Sequence, residues 1–203
     1  RGCRVVLQAE QRGTAHALQQ TEAELSGASG TLLLLSGDVP LLDRHSLESL
    51  LQQHQTDRAA ATVMTALTPA PRGYGRILRD PVGRIEAIVE ERDATPDQRS
   101  IQEINAGIYA FELSALWDGL RQISSGNNQG EFYLTDLVGV FRSQGLRVGT
   151  TTVSDPRSVK GINNRKELAE AGAVLQQRKN DAVMAAGVTL VDPATTYIAD
   201  DVD

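Results

Sequence analysis

The sequence predicts an α/β fold, a doubly wound and mixed, mostly parallel sheet with helices on both faces. Three observations carry that expectation. Strand-length apolar runs alternate with stretches of helical period through the first third of the chain, which is the βαβ rhythm. The run TLLLL at 31–35 is apolar on both faces, as suits a central strand covered on each side. A chain of 203 residues, 40% hydrophobic and 23% charged, is long enough for one substantial domain with its own core.

Taken in order, CRVVLQ (3–8) reads as a strand, and GTAHALQQTEAEL (13–25) as a helix with Thr14 as N-cap and Gly27 as its stop. TLLLLS (31–36) is a strand. DRHSLESLLQQHQ (43–55) is a helix with Leu47, Leu50 and Leu51 inward, and AAATVMTALT (59–68) a strand. GRILRDPVGRIEAIVEE (75–91) reads as two short strands joined by a turn at 81–83. A strand over 104–112, a helix over 113–123, a polar loop over 127–131, a helix over 132–144 and a strand over 147–153 follow. A helix over 164–187 is long enough to act as a connector, and VTLVDPATTYI (188–198) opens another β element.

Composition narrows the function classes. The 20 basic residues are outnumbered by 26 acidic ones, for a formal net charge of −6. That argues against nonspecific binding to nucleic acid or to an acidic membrane surface, but not against a phosphate ligand held by local donors. Cys3 is the single cysteine, so no internal disulfide forms, and the cytoplasm is the expected compartment. No apolar run approaches the roughly 20 residues of a membrane span. The chain opens on Arg-Gly-Cys and stops at Asp-Val-Asp, which reads as a piece of a longer protein.

Several stretches place reactive or ligand-binding groups at element ends. SGDVP (36–40) puts Asp38 just past a strand, with Gly37 opening the backbone and Pro40 ending the ladder. Ligands of open α/β sheets bind beyond the carboxyl ends of strands, and a hard carboxylate there suits Mg²⁺ with phosphates. The same aspartate fits an Asx turn or a cap on the next helix equally well. In QAEQRGTAHAL (8–18), Gln8, Gly13 and Thr14 offer a carboxamide and backbone groups that match uracil, though an ordinary capped βα turn would use them too. Gly75 in GYGRI, Glu90 and Asn105 could line a saccharide pocket. Asn163, in KGINNR, is either a metal ligand or the N-cap of the connector helix.

In order along the chain, LQAEQRGTAHAL, LLLLSGDVPLL, GYGRILRD, IVEERDATPDQRSIQEINAGIYAF, NNQGEFYLTDL and GINNR resemble the uridyltransferase domain of bacterial bifunctional N-acetylglucosamine-1-phosphate uridyltransferase/glucosamine-1-phosphate acetyltransferases. AGVTLVDPATTYI resembles the first coil of that family's left-handed β-helix. The resemblance implies a Rossmann-like nucleotidyltransferase domain over 1–163, a connector helix over 164–187 and the start of the β-helix over 188–203. It implies uridylyl transfer from UTP to N-acetylglucosamine 1-phosphate, giving UDP-N-acetylglucosamine and pyrophosphate, with Mg²⁺ as cofactor. By motif, Gln8, Gly13 and Thr14 would hold the uracil, and Ser36 and Gly37 would line the nucleoside. Asp38 and Asn163 would hold Mg²⁺, and Gly75, Glu90, Asn105 and Thr135 would hold the sugar. The family's trimer forms through its β-helix. The family's glycine-rich opening loop has no counterpart here. Ser36 stands where the family commonly has Tyr, and Lys160 where it commonly has an acidic residue. A different sugar 1-phosphate, or a noncatalytic sugar-nucleotide-binding module, is the alternative reading.

Overall fold

A computed structural model describes residues 2–199, 201 and 202. The chain divides into two compact units. One comprises residues up to Leu35 and Arg44–Pro156, and the other comprises Ser36–Asp43 and the residues from Arg157 onward.

The first unit holds the sheet. Its strands are β1 (Thr31–Leu34), β2 (Ala61–Leu67), β3 (Arg76–Arg79), β4 (Ile85–Val89), β5 (Glu103–Glu112) and β6 (Val148–Val153). Its helices are α1 (Thr14–Gln19), α2 (Arg44–Asp57), α3 (Pro96–Arg99), α4 (Leu113–Leu120) and α5 (Leu137–Ser143). The order across the sheet is β4-β3-β5-β2-β6, with β1 also paired to β5. β2 lies along one edge of β5. The other edge is shared, with β3 at Ile104 and β1 at 109–112. Gly107, at φ +72°, falls between those two segments, where the backbone must turn without a Cβ.

The expectation of a mostly parallel sheet is corrected. The β2–β6 pair is parallel, and the β1–β5, β2–β5, β3–β4 and β3–β5 pairs are antiparallel. The βαβ rhythm does make β1, β2 and β6 run in one direction. The long strand β5 then inserts between β1 and β2 in the opposite sense, so neighbours are mostly antiparallel. Among the described residues β1 pairs with β5 alone, and Leu35, just beyond it, is 48% exposed. Residues 3–8, expected as a strand, make no ladder, and Val5 and Leu7 are exposed.

The core forms where β2, β4 and β5 meet α1, α4 and α5. Val63, Ile88, Phe111, Leu116, Leu137 and Phe141 are buried in one cluster. Tyr109 and Phe111, two residues apart on β5 and therefore on one face, stack with ring centroids 5.2 Å apart. The helix expected over 132–144 begins as a 3₁₀ turn at Leu134–Asp136 before α5 takes over. α3 was not expected. Thr95 caps it with a reciprocal capping box to Gln98, and Pro96 occupies its first turn.

The second unit is built on α6 (Arg165–Ala185). Its N-cap is Asn164, whose side chain accepts from the Glu167 N–H. Asn180 on α6 is fully buried. Its Nδ2 donates to the carbonyls of Pro193 at 2.7 Å and Thr196 at 2.9 Å. Gln176 Nε2 donates to Ala194 and Thr196. Residues 188–199 are thus fastened to α6 through side-chain amides, and they contain no strand. Among the described residues, no helix is long and apolar enough to cross a membrane.

Candidate active site

The first unit gathers seven of the expected residues into two joined groups. Gln8, Gly13 and Thr14 form one loop. Gln8 Nε2 donates to the Gly13 carbonyl at 3.1 Å and lies 3.0 Å from His16 Nδ1. Gly13 has φ +109°, and a Cβ there would stand 2.5 Å from the Phe132 carbonyl oxygen, so only glycine fits. Gly13, not Thr14, is the N-cap of α1. The Thr14 hydroxyl oxygen accepts instead from the Leu134 N–H at 3.1 Å. Phe132 N–H donates to the Arg12 carbonyl at 2.8 Å, and the Phe132 carbonyl accepts from Ala15 N–H at 2.9 Å. The Arg12 guanidinium lies 5.2 Å from the centre of the Phe132 ring.

That strap over 132–134 leads directly into the second group. Thr135 is buried, and its hydroxyl donates to Glu90 Oε1 at 3.1 Å. Glu90 Oε2 accepts from no described residue. A Cβ on Gly75 would come within 3.5 Å of both Glu90 oxygens and 3.0 Å from the Ile88 side chain. Gly75 therefore keeps the space over the carboxylate open, and its carbonyl accepts from the Asn105 N–H at 2.9 Å. The Asn105 side chain is committed largely to the protein. Its Nδ2 donates to the Tyr109 hydroxyl at 2.7 Å and its Oδ1 accepts from Gly107 N–H at 3.0 Å. One N–H of the amide and one lone pair remain for a ligand.

Burial raises the Glu90 pKa, and repulsion from Asp136 and Asp93 adds to the effect against the Thr135 hydrogen bond. Burial also raises the Asp136 pKa, again with Asp93 contributing. Sequence reading missed both aspartates. It also missed Tyr109, which holds the Asn105 amide, and Arg76, which is 2% exposed and paired with Glu91 at 3.3 Å. The contact of Asn105 with a residue four further along the same strand gives no periodic signal, because Gly107 bends the strand between them.

The second unit holds Ser36, Gly37, Asp38 and Asn163. Residues 36–39 form a turn with Val39 N–H on the Ser36 carbonyl. The Asp38 carbonyl accepts from Ile162 N–H at 2.9 Å, so Asp38 is next to the segment carrying Asn163. The Asp38 carboxylate is exposed and accepts no hydrogen bond from any described residue. It neither caps a helix nor makes an Asx turn. Asn163 is not the N-cap of α6 either, since Asn164 takes that place; Asn163 N–H donates to Glu167 Oε2 at 2.6 Å. A Cβ on Gly161 would lie 3.1 Å from Asp38 Oδ2, so the glycine leaves that oxygen accessible. One unengaged carboxylate oxygen pair and an amide oxygen fit Mg²⁺, which takes few protein ligands and completes its shell with water and phosphate. No cluster of three or more His, Cys, Asp or Glu side chains suited to a metal occurs among the described residues, which leaves out sites of the all-protein kind.

On a mixed sheet, the first unit thus carries a strap-linked loop before α1 and a half-buried carboxylate just after β4. Residues 3–147 match the family described as nucleotidyl transferase, and the chain belongs to that family. Among its relatives, the bifunctional protein GlmU of Corynebacterium efficiens is 46% identical over 198 residues, covering 98% of this chain and 41% of the relative. The protein of the same name from Trichlorobacter lovleyi is 46% identical over 201 residues, covering 99% and 44%. This chain thus spans less than half the length of these relatives. A nucleoside-diphosphate-sugar pyrophosphorylase from Vibrio cholerae, 15% identical, shares the fold with a TM-score of 0.53 over 72% of this chain and 59% of its own.

Proposed function

We propose that this chain carries the nucleotidyl-transfer chemistry of UDP-N-acetylglucosamine synthesis, joining UTP to N-acetylglucosamine 1-phosphate with release of pyrophosphate. The observation that carries the reading is Glu90, a half-buried carboxylate with one oxygen held by Thr135 and the other left open beside Gly75. Such a group serves a ligand better than it serves the fold. The similarity to the GlmU proteins across nearly the whole chain supports the same assignment.

In this reading an oxygen of the sugar phosphate bonds to the α-phosphorus of UTP, and the bond from that phosphorus to the bridging oxygen breaks. Pyrophosphate leaves with the electron pair. The protein contributes position and charge complementarity, not a covalent intermediate. Gln8, Gly13 and Thr14 bind the uracil edge, and the strap at Phe132–Leu134 fixes their loop. Ser36 and Gly37 line the nucleoside. Glu90 accepts from sugar hydroxyls, and Asn105, oriented by Tyr109, meets the acetamido group. Thr135 orients Glu90 in preference to touching the sugar. Asp38 and Asn163 would hold Mg²⁺, which when bound offsets the charge on the phosphates. Residues 188–199 would start a β-helix through which the whole protein would trimerise, with residues 200 and 203 of the expected coil outside those the structure describes, and the cytoplasm would be its compartment.

Pyrophosphate release from UTP tests the assignment. Release with N-acetylglucosamine 1-phosphate and Mg²⁺, lost in Glu90→Ala, is expected. Equal release with glucose 1-phosphate would replace the substrate. Release that persists unchanged in Glu90→Ala would overturn the role of the carboxylate.

A further inference from the structure

Near the start of β2, away from Asn105, the first unit has an open cleft of about 630 Å³. β6 lines it with Val148, Gly149 and Thr150, and Val148 pairs with Ala61 at the start of β2. Asn105 pairs with Thr65, four residues along and so roughly 13 Å away. The tip of the β3–β4 hairpin, the end of α5 and the end of α2 close the cavity, and Arg79, Arg84, Arg142 and Arg147 all line it. In a chain of net charge −6, four guanidinium groups on one small cavity are a local reversal of sign.

Their partners leave donors to spare. Arg84 Nε and Arg142 Nη2 converge on a single oxygen, Asp80 Oδ2, at 3.0 and 3.3 Å. One carboxylate thus serves two cations. Arg147 Nη2 meets Asp57 Oδ1 at 2.6 Å, and Arg79 meets Glu103 at 2.5 Å. Four cations therefore face three carboxylates. Both Nη groups of Arg84 have no acceptor among the described residues, nor do Nη1 and Nε of Arg147. These two side chains are 71% and 64% exposed, so they reach over the mouth of the cavity without loss of packing. Gly149 also lines it, and a Cβ there would press on Asp57 Oδ2 at 3.0 Å.

We propose that this cavity binds a small organic anion with two separated phosphate groups. One phosphate would sit at the Arg84–Arg142 pair and the other at Arg147. Guanidinium forks recognise phosphate in bidentate fashion, and the volume suits a metabolite-sized ligand. No residue of the candidate active site takes part, so the inference stands apart from the uridylyl-transfer reading.

The test uses the 203-residue chain without Mg²⁺, with fructose 1,6-bisphosphate as probe and inorganic phosphate and fructose as comparisons. Titration calorimetry is read together with the arginine Nε–H resonances. The bisphosphate is expected to bind more tightly than inorganic phosphate, fructose not at all, and the Arg84 and Arg147 resonances to shift. The Arg84→Gln/Arg147→Gln variant, with its Tm unchanged because both side chains are exposed, is expected to bind at least about tenfold more weakly. Asp38→Ala is expected to bind as the parent does. Absence of binding at millimolar probe overturns the proposal. So does binding that survives in the double arginine variant or disappears in Asp38→Ala, which would put the anion elsewhere.

Discussion

Glu90 follows β4 and Asp38 follows β1, and the two carboxylates occupy opposite surroundings. Glu90 is half-buried, tied to Thr135 and crowded by Asp93 and Asp136, and its proton is held more tightly than usual. Asp38 stands exposed on a turn whose backbone is bonded while its carboxylate is not. The first is a charge the fold tolerates at a cost. The second is a charge the fold does not use. Both patterns are hard to explain by stability, and both fit groups kept for a ligand. The difference teaches that a functional carboxylate can be recognised either by strained burial or by idle exposure, and that the two respond oppositely to mutation.

The glycines beside them give the largest contrast in stability. Gly13→Ala places a Cβ against the Phe132 carbonyl at positive φ and should cost about 1–3 kcal/mol for the backbone conformation alone. Gly37→Ala, with nothing within 4 Å of the added carbon, should change stability by less than about 0.5 kcal/mol. Urea denaturation of the pair checks this, and equal losses would break the distinction between a built loop and an open turn.

The next effect is functional. Asp38→Ala should weaken Mg²⁺-dependent nucleotide binding at least about tenfold while leaving Tm unchanged. A large drop in Tm would show that Asp38 serves the fold after all.

Glu90 should behave the other way. Its folded pKa is raised above the unfolded value, so the folded state holds more protons in the window just above the ordinary glutamate pKa. Stability contributed by this group is therefore greatest below that window and falls as pH rises through it. Glu90→Gln should raise Tm at neutral pH and flatten its dependence across that window, while sugar binding is lost. An unchanged Tm–pH curve would remove Glu90 as a source of strain.

The smallest effect belongs to the groups behind the site. Tyr109→Phe deletes the hydroxyl that accepts from Asn105 and should cost about 1 kcal/mol. Selectivity between acetamido and hydroxyl sugars should fall with it, and unaltered selectivity would show that Asn105 needs no support.

Much of this was legible in the chain because its elements carry local signals. The hairpin over 76–89 announced itself through Pro81 and Gly83, α2 through its helical period and α6 through its length. Strand neighbours were not legible, because the insertion of β5 between β1 and β2 is a long-range choice that no periodicity records. The same holds in the site. Gln8, Gly13 and Thr14 were recognisable as a loop, but the bonds that fasten it, from Arg12 and Ala15 to Phe132 and from Leu134 to Thr14, span over a hundred residues. Asn163 and Asn164 are adjacent and chemically identical, and only the backbone decides that the second caps α6. The raised Glu90 pKa comes first from burial, with repulsion from Asp136 and Asp93 added, and neither the burial nor the approach of Asp136 from beyond β5 is written in the local sequence.

Calorimetric titration with UDP-N-acetylglucosamine and Mg²⁺, set against UDP-glucose and against Asp38→Ala, tests the central claim most directly. Binding that prefers the acetamido sugar and weakens in the aspartate variant is the expected result. Equal affinity for both sugar nucleotides, indifferent to Asp38, would contradict the account.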